Sequence, residues 1–566
     1  MISAGEDGTT GAPEGAAAVA EDGISGTDPV GAPPLAGTLA DTAAVLGGLG
    51  ALNRESLALA AELARIVVGG SEITPDRKDW RFADPAWSQH PVYRRVAQGY
   101  LASCAFLDAM VDDLGKSGRR TDKARFLLNI LSSAAAPTNT LAGNPAVLKR
   151  AFETGGGSLR RGAGNWWRDV RHNGGLPTTV DPGAFAVGRD LAVTAGAVVD
   201  RDECGEVIQY QPATPAVRRR PVLVVPPPIG RFYFLDLRPG RSFVEYAVGR
   251  GLQTFMLSWR NPGPEQAGWD LEVYARRVLS AIEVAREVTG SPDVDVIGFC
   301  AGGIITTTVL NHLAAAGDDR VASASYAVTL HDFSQPAPIG AFSSPRLLAL
   351  AQWNSKRTGV ITARNMGAIF TWMRPNELVW NYWVNNYLMG DAPPAFDILA
   401  WNADGTNLPA ALHAQFLEIF QDNVLCEPGR MTILGTPVDL GRITLPAYVT
   451  GGVTDHLTPW PGCYRTTQLL SGPTTFVLSN VGHIQSLVNP PGNPKATYFA
   501  GGEPGPDPQQ WLAGSTKVSG TWWEHWADWL LERSADQVPA PGKLGGGGHP
   551  PGEQAPGLYV RDLQPA

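Results

Sequence analysis

The chain has 566 residues, of which 44% are hydrophobic, and this is typical of a folded protein with more than one core. Its formal net charge of -9 gives no reason to expect nucleic acid or another polyanion as a partner. The five cysteines are widely spaced, with no C-x-x-C motif and no histidine and cysteine cluster of zinc spacing. They therefore favour a reducing compartment and predict no metal site.

The N-terminal segment, residues 1–35, consists mostly of Gly, Ala, Pro, Asp and Glu, so we predict that it is disordered. It lacks the basic and apolar regions of a signal peptide, and the chain has no run of about 18 apolar residues that would predict a transmembrane segment. We therefore expect a cytoplasmic protein. Helical periodicity over residues 39–68, 92–114 and 121–133 predicts a helical N-terminal domain, residues 36–190.

An α/β core is predicted from residue 191 onward, because strand and helix patterns alternate there as in a parallel sheet. Strand patterns cover residues 195–199, 207–210, 222–225, 254–258, 293–297 and 324–330, and a helical pattern covers residues 271–288. Further strand patterns cover residues 445–450 and 475–478. We therefore assign residues 191–332 to the first part of the core and residues 441–538 to its second part.

The alternation stops over residues 333–440, so we expect an inserted cap there. This insertion is rich in aromatic residues, namely Trp372, Trp380, Tyr382, Trp383, Tyr387 and Trp401. Their rings could line an apolar channel or a subunit interface, and core packing explains them equally well. After the second part of the core, the Gly/Pro-rich residues 539–566 are predicted to form a flexible tail.

A predicted helix near the end of the core carries Trp522, Trp526 and Trp529 on one face. This spacing indicates that the helix packs against the core.

The centre of the predicted core is the sequence DVDVIGFCAGG, residues 293–303. A strand pattern enters a helical pattern here through a G-x-C-x-G motif that runs from Gly298 to Gly302 around Cys300. This is the nucleophile elbow of α/β-hydrolases with cysteine in place of serine. The two glycines leave room for a tight turn that holds the thiol above the sheet. A small buried thiol at a glycine-rich strand end is the alternative interpretation.

A thiol nucleophile needs a base, and the base needs a partner that holds its tautomer. Asp455 and His483 each follow a strand pattern in the second part of the core, and the chain order Cys, Asp, His is usual for α/β-hydrolases. Asp332, at the end of the strand that precedes the insertion, is the alternative acid. His456, beside Asp455, is a candidate for contact with these residues or with the substrate.

The oxyanion donors are expected to be backbone amides. Ala301 directly follows the nucleophile, so its amide is the first expected donor. The fold takes its second donor from the loop after the third strand, which here contains three prolines followed by Ile229 and Gly230. We therefore assign the second donor to the loop near Ile229.

The cysteine itself indicates a class of reaction. Transfer of an acyl group from a thioester to Cys300 forms another thioester, so the acyl group stays activated and passes readily to an alcohol. A serine would hold the same group as an ester, at the level of the product. The motif therefore favours acyl transfer from a thioester to a hydroxyl, with a cysteine-dependent esterase or acyl-CoA thioesterase as the alternative.

From near Trp80 to Trp529, the chain resembles poly(3-hydroxyalkanoate) synthases. The matching stretches are SWRNP from Ser258, the elbow, PNELVWNYWVNNYLMG from Pro375, FDILAWNADGTNLP from Phe396, TDH from Thr454 and GHIQSLVNPPGNPK from Gly482. The last stretch and DPAWSQHPVYRR from Asp84 are most similar to the single-subunit synthases that favour medium-chain monomers.

This resemblance implies an α/β-hydrolase fold and a cytoplasmic homodimer that polymerises (R)-3-hydroxyacyl-CoA on the surface of polyester granules and releases CoA. It implies no cofactor beyond the CoA of the substrate. It implies Cys300 as the acylated nucleophile, His483 as the base, and Asp455 as the acid that helps to activate the 3-hydroxyl of the incoming unit. The family usually has Asn-Lys where this chain has Gly230-Arg231, so an asparagine side chain cannot be a donor here.

A non-catalytic granule-associated protein with the same fold is a further alternative. The presence of Cys300, Asp455 and His483 together argues against it, because a binding module needs none of the three.

Overall fold

The computed structural model describes residues 54–113, 119–334, 345–534 and 536–563. The segment predicted to be disordered, residues 1–35, lies outside them. The described residues from Glu55 onward form one compact unit, so the helical region, the core and the insertion belong to the same body. No helix among the described residues is both long enough and apolar enough to cross a bilayer.

The N-terminal region is helical, as predicted. Its helices are α1 (residues 54–68), α2 (Ala86–Gln89), α3 (Pro91–Asp113), α4 (Arg119–Ala134), α5 (Pro145–Glu153) and α6 (Gly157–His172). The start of α5 follows from its sequence, because the Asn144 side chain accepts hydrogen bonds from the amides of Ala146 and Val147, and Pro145 occupies the first helical position.

The first part of the core alternates strands and helices. Its elements are β1 (Gly196–Arg201), β2 (Gly205–Tyr210), β3 (Ala216–Arg218), β4 (Val222–Val225), α7 (Phe243–Gly249), β5 (Thr254–Trp259), α8 (Leu271–Thr289), β6 (Val294–Phe299), α9 (Ala301–Ala316) and β7 (Val321–Ala327). Strand β7 lies three residues earlier than the predicted strand over residues 324–330. It ends there because Val328 has a φ of 47°, which no extended strand adopts.

The insertion consists mainly of helices. Its elements are α10 (Pro345–Thr358), β8 (Val360–Ile361), α11 (Ala363–Met373), two π-helical turns (Asn376–Trp380 and Trp383–Leu388), α12 (Asp397–Ala403), β9 (Leu408–Pro409), α13 (Ala410–Asp422), β10 (Thr432–Ile433) and β11 (Thr436–Pro437).

The aromatic residues of the insertion divide between packing and the lining of a cavity. Tyr382 and Tyr387 are buried. The Tyr387 hydroxyl donates to Asp169 of α6 at 2.7 Å, and the Trp383 indole donates to the Asn139 carbonyl at 3.1 Å. These bonds join the insertion to the N-terminal helices, whereas Trp401 lines a large cavity.

The second part of the core completes the sheet. Its elements are β12 (Ala447–Gly452), α14 (Trp460–Leu469), β13 (Thr474–Ser479), α15 (His483–Leu487), β14 (Thr497–Ala500), α16 (Pro508–Gly514), β15 (Thr516–Ser519), α17 (Trp522–Arg533) and β16 (Gln537–Pro539). The described residues form a ten-stranded sheet in the order β1-β2-β5-β4-β6-β7-β12-β13-β14-β15. Neighbours from β5 to β13 are parallel, and antiparallel strands extend both edges.

Hydrophobic clusters cover the two faces of this sheet. Helix α17 packs on one face, where Trp522, Trp526 and Trp529 are all buried. The prediction that this helix faces the core is therefore confirmed.

The structure corrects the prediction of a flexible tail. Residues 537–563 pack against the core, and Tyr559 and Val560 are buried. The backbone of Val198 in β1 exchanges hydrogen bonds with Gly552 and Glu553, so the tail covers the free edge of the sheet. Flexibility was predicted because Gly and Pro disfavour helix and strand. The segment is instead held by hydrogen bonds to β1, which is far from it in the chain.

Candidate active site

Four loops that carry the candidate residues leave the sheet at its carboxyl edge. The loop after β4 contains Ile229, Cys300 follows β6, Asp455 follows β12, and His483 follows β13. Because β4, β6, β12 and β13 are parallel, all four loops emerge at the same side of the sheet. The topology therefore brings together residues that are far apart in the chain.

Cys300 occupies the sharp turn between β6 and α9, with φ 50° and ψ -124°. This is a conformation that a residue with a side chain rarely adopts, and it is held by a bond from the Cys300 amide to the Ala327 carbonyl at 2.9 Å. A Cβ on Gly302 would collide with the Val225 carbonyl oxygen, and a Cβ on Gly298 would lie 2.5 Å from the Gly303 Cα. The glycines of the motif are therefore required for the turn to fit against the sheet.

His483 is buried, and its side chain lies next to both Asp455 and Cys300. Its Nδ1 donates to Asp455 Oδ2 at 2.7 Å, and the Cys300 side chain lies close enough to its ring to raise its pKa. The structure thus brings Cys300, His483 and Asp455 together, with His483 between the thiol and the carboxylate. With Nδ1 on the carboxylate, Nε2 is the nitrogen available to the thiol.

Asp455 is fixed by its own loop. Its Oδ1 accepts the amides of Leu457 and Thr458 at 2.8 and 2.9 Å, and its Oδ2 accepts the Thr458 hydroxyl at 2.7 Å. The Thr458 hydroxyl also lies 3.0 Å from His483 Nδ1. The role of Thr458 was missed in the sequence, although a threonine three residues after an aspartate is a local signal of such a turn.

The two charged partners shift each other's pKa. Burial lowers the pKa of His483, but the charge and hydrogen bond of Asp455 and the nearby Cys300 side chain outweigh it and raise the pKa to about 10. Burial raises the pKa of Asp455, but the charge of His483 and the hydrogen bonds of His483 and Thr458 outweigh it and hold the pKa below its usual value. The His483 imidazole therefore holds a proton more tightly than an ordinary histidine does.

This pairing predicts a pH-dependent contribution to stability. The Asp455 contribution is present above its ordinary pKa of 3.8 and is lost as the pH falls, because its folded pKa is lowered. The His483 contribution is complete below its ordinary pKa of 6.5 and is lost as the pH rises through about 10, because its folded pKa is raised. We expect the unfolding free energy lost in Asp455→Asn, measured by urea unfolding, to be largest between these two ordinary values and to shrink toward pH 10. An equal loss near pH 5.5 and near pH 9.5 would contradict the pairing.

The candidate oxyanion donors border the same space as the thiol. Ala301 is the first residue of α9, where helix amides have no carbonyl partner within the helix, and Ile229 lines the cavity beside Cys300. The three prolines before Ile229 carry no amide hydrogen. The Ile229 amide donates to no backbone group among the described residues, whereas the amide after it, that of Gly230, donates to Thr406 at 2.8 Å.

The alternative acid belongs to a different network. Asp332 accepts hydrogen bonds from the Ser334 amide, the Asn423 side chain and the Arg465 guanidinium, the last at 3.2 Å. These partners hold its pKa below the usual value even though burial opposes the shift. The carboxylate that is hydrogen-bonded to His483 is that of Asp455. His456 lines the cavity, and burial together with the charge of Arg374 lowers its pKa.

Burial disfavours the thiolate form of the other four cysteines. It raises the pKa of Cys426 to about 11 and shifts the pKa of Cys104, Cys204 and Cys463 in the same direction. A thiol that stays protonated is a poor nucleophile.

A cavity of about 1690 Å³ opens above Cys300. It is lined by the helical N-terminal region, by the insertion and by the loops of the core. Most of its wall is apolar, with Phe234, Phe333 and Trp401 among the lining residues. Within the described part of the chain, no group of three His, Cys, Asp or Glu side chains is arranged to hold a metal ion.

The sheet, the strained elbow and the histidine and aspartate loops together define an α/β-hydrolase-fold protein with cysteine at the elbow. A family model for the alpha/beta hydrolase fold matches residues 239–490, and one described as the N-terminus of poly-beta-hydroxybutyrate polymerase matches residues 78–247. The chain belongs to the poly(3-hydroxyalkanoate) polymerase family.

Membership of this family is shown by relatives that match along most of their length. The chain is 43% identical to poly(3-hydroxyalkanoate) polymerase 1 of Ectopseudomonas oleovorans over 88% of this chain and 89% of that protein. It is 44% identical to polymerase 2 of the same species, over 89% and 90%, and 38% identical to the polymerase subunit PhaC of Cupriavidus necator, over 87% and 85%. Among solved structures, a monoacylglycerol lipase of Paleococcus ferrophilus is 13% identical, with a TM-score of 0.34, over 58% of this chain and 99% of the lipase.

Proposed function

We propose that this chain polymerises (R)-3-hydroxyacyl-CoA into polyhydroxyalkanoate and releases CoA, with the acyl group carried on Cys300. The observation that carries the proposal is that Cys300 lies beside the hydrogen-bonded pair His483 and Asp455 at the wall of a large apolar cavity. The family of the chain supports the same reaction, because its relatives are poly(3-hydroxyalkanoate) polymerases.

In the first half of the reaction, His483 Nε2 takes the proton of Cys300 and the thiolate attacks the thioester carbonyl of the substrate. The negative charge that develops on the carbonyl oxygen is stabilised by the Ala301 amide and by the loop amide near Ile229. The bond between the acyl carbon and the CoA sulfur breaks, and the CoA sulfur takes the proton from His483. Asp455 stabilises the imidazolium that exists between these two proton transfers.

In the second half, a hydroxyl of the growing chain or of another monomer attacks the acyl group on Cys300. His483 accepts the hydroxyl proton and returns it to the departing Cys300 sulfur. The acceptor becomes one ester unit longer, so the cycle can repeat. Asp455 acts on the hydroxyl through His483, because both of its oxygens are already engaged by His483, Thr458 and the backbone.

The size and character of the cavity suit this pair of substrates. Pockets for single small ligands usually measure about 300–1,000 Å³, whereas this cavity measures about 1690 Å³. The additional volume accommodates an acyl-CoA arm together with a segment of polyester. Its apolar wall suits the aliphatic side chains of both and limits the access of water, which would otherwise hydrolyse the acyl group.

The same proposal extends to cellular context. We infer a cytoplasmic enzyme that acts on the surface of polyester granules as a homodimer, with the growing polyester as its acceptor. The reaction needs no resident cofactor, since CoA enters with one substrate and leaves as a product.

The test supplies purified chain separately with (R)-3-hydroxybutyryl-CoA and (R)-3-hydroxydecanoyl-CoA. CoA release is followed over time, and the solvent-extracted product is analysed for polymer and for free hydroxy acid. We expect CoA release together with insoluble polyester, and the faster substrate defines the preferred chain length. The Cys300→Ala variant and the (S)-3-hydroxyacyl-CoA isomers are the controls.

Two results would contradict the proposal. CoA release with only free hydroxy acid would indicate an esterase or thioesterase that uses the same residues. No CoA release from any of these substrates would favour a non-catalytic granule-associated protein.

A further inference from the structure

The loop after β4, residues 226–231, is held by residues from outside the hydrolase core. The Gly230 amide donates to the Thr406 hydroxyl at 2.8 Å, and the Trp401 indole donates to the Arg231 carbonyl at 2.7 Å. Gly230 has a φ of 87°, and a Cβ there would lie 3.0 Å from the Trp401 ring. The loop therefore takes its conformation from the insertion, which supplies both Trp401 and Thr406.

Arg231 connects this loop to the C-terminal end of the chain. Its guanidinium is buried, and it donates to Asp404 Oδ1 at 3.0 Å and to both oxygens of Asp562 at 3.1 and 2.5 Å. It also donates to the Tyr559 carbonyl at 3.2 Å. Two hydrogen bonds from one guanidinium to one carboxylate form the strongest and most directional type of ion pair. Asp562 is thus a major anchor of Arg231.

Residues 540–563, which we call the C-terminal strap, reach this position along a fixed path. Glu206 of β2 is fully buried, and its carboxylate accepts the amides of Leu558 and Tyr559 at 3.1 Å. The Tyr559 hydroxyl donates to the Asp202 carbonyl at 2.7 Å. Because the buried Glu206 carboxylate accepts two consecutive amides of the strap, it fixes the strap to β2. The core therefore determines the position of Asp562, three residues after Tyr559.

We propose that the C-terminal strap positions the loop after β4, residues 226–231, which we call the oxyanion-side loop. In this proposal Asp562 and Arg231 are positioning residues for acyl transfer to Cys300. This role rests on the proposed function, in which the amide near Ile229 binds the developing oxyanion. Ile229 lies two residues before Arg231, so a displacement of the guanidinium moves the donor. Oxyanion stabilisation depends on distances of about 3 Å, so a small displacement lowers the rate.

The Arg231 guanidinium also joins the C-terminal strap to the insertion. Asp404 directly follows α12 of the insertion, and its second oxygen accepts the Tyr233 hydroxyl at 2.9 Å. Without Asp562, Arg231 keeps only one of its two carboxylate partners, and that partner belongs to the insertion. We therefore expect the oxyanion-side loop to shift toward the insertion while the Cys300 and His483 side chains keep their positions.

The experiment compares three variants of the full-length chain. Asp562→Asn keeps the shape of the side chain and removes its charge, and Asp562→Glu keeps the charge. Glu553→Gln is the matched control, because it removes another strap ion pair, the one between Glu553 and Arg201 of β1 at 2.6 Å. Each variant is assayed for kcat and KM of CoA release, with the better of the two (R)-3-hydroxyacyl-CoA substrates, and for the rate at which iodoacetamide alkylates Cys300.

The alkylation rate distinguishes an effect of the substitution on the oxyanion-side loop from an effect on the nucleophile. Iodoacetamide reacts at a saturated carbon and forms no oxyanion, so its rate reports the thiol and its base alone. We expect Asp562→Asn to lower kcat about 10-fold with KM and the alkylation rate within about 2-fold of the unsubstituted chain. Asp562→Glu is expected to recover most of the lost kcat, and Glu553→Gln to retain the original values.

The positioning role is overturned if Asp562→Asn leaves kcat unchanged, if Glu553→Gln lowers kcat equally, or if alkylation slows in parallel with kcat. The last result would mean that the substitution disturbs the whole site. Failure of the proposed function is a different result, namely no CoA release by the unsubstituted chain although Cys300 is alkylated. That result would also remove the basis of the positioning role.

Discussion

Replacing Cys300 with alanine is expected to abolish CoA release from (R)-3-hydroxyacyl-CoA, with a loss on the order of 10⁴-fold or more. The reason is that, among the described residues of the candidate site, Cys300 is the thiol beside the paired His483 and Asp455, and a thioester on the enzyme needs that thiol. The measurement is the initial rate of CoA release, together with a mass spectrum of the intact chain after brief exposure to substrate. The acyl adduct should be present in the unsubstituted chain and absent from the variant.

Two companion variants define the specificity of this result. Cys104→Ala removes a half-buried thiol on α3 and should retain CoA release. Cys300→Ser should lose most of the activity even when folded, because an ester on serine lies no higher in free energy than the polyester product. CoA release retained in Cys300→Ala would reject the assignment of the nucleophile.

Replacing His483 with glutamine is expected to lower the rate of CoA release on the order of 10³-fold. Glutamine preserves a polar side chain of similar length but cannot take the proton of the thiol or return it to the leaving sulfur. Its effect should extend to alkylation of Cys300 by iodoacetamide, since fewer thiolates form without the base. The two rates, measured against pH, distinguish this variant from Asp562→Asn, in which only CoA release falls.

His456→Gln is the matched control for this substitution, because His456 lines the same cavity. We expect it to lower CoA release less than about 10-fold, since the Asp455 carboxylate is paired with His483. If His456→Gln caused the larger loss and His483→Gln the smaller one, the base would be His456 and the mechanism would be wrong.

The candidate site could be predicted because each of its residues follows an element with a clear local pattern. Cys300 lies in a glycine motif between an apolar strand and a helix, and the structure gives it the strained φ of 50° that such an elbow requires. Asp455 and His483 follow strands of the second part of the core. Parallel strands present their carboxyl ends at one edge, so chain order and strand assignment were enough to predict that the three residues meet.

Other features of the site and of the chain were left open, missed or wrongly predicted in the sequence. The sequence left Asp332 as an alternative acid, and only the packing of Arg465 and Asn423 against it assigned it to another network. Thr458 escaped notice although it bonds both Asp455 and His483. The tail was predicted to be flexible from its Gly and Pro content, whereas its partners lie on β1 and β2.

The sequence by itself determined the alternating strands and helices around the candidate site, the elbow, and the histidine and aspartate that follow later strands. Periodicity and turn chemistry encode these features within a few residues. Only the tertiary structure decided how the C-terminal strap reaches the oxyanion-side loop, through Arg231 and Asp562, which are 331 positions apart. Ion pairs and backbone hydrogen bonds at such separations depend on where the completed sheet places its edges, and no local pattern records that position.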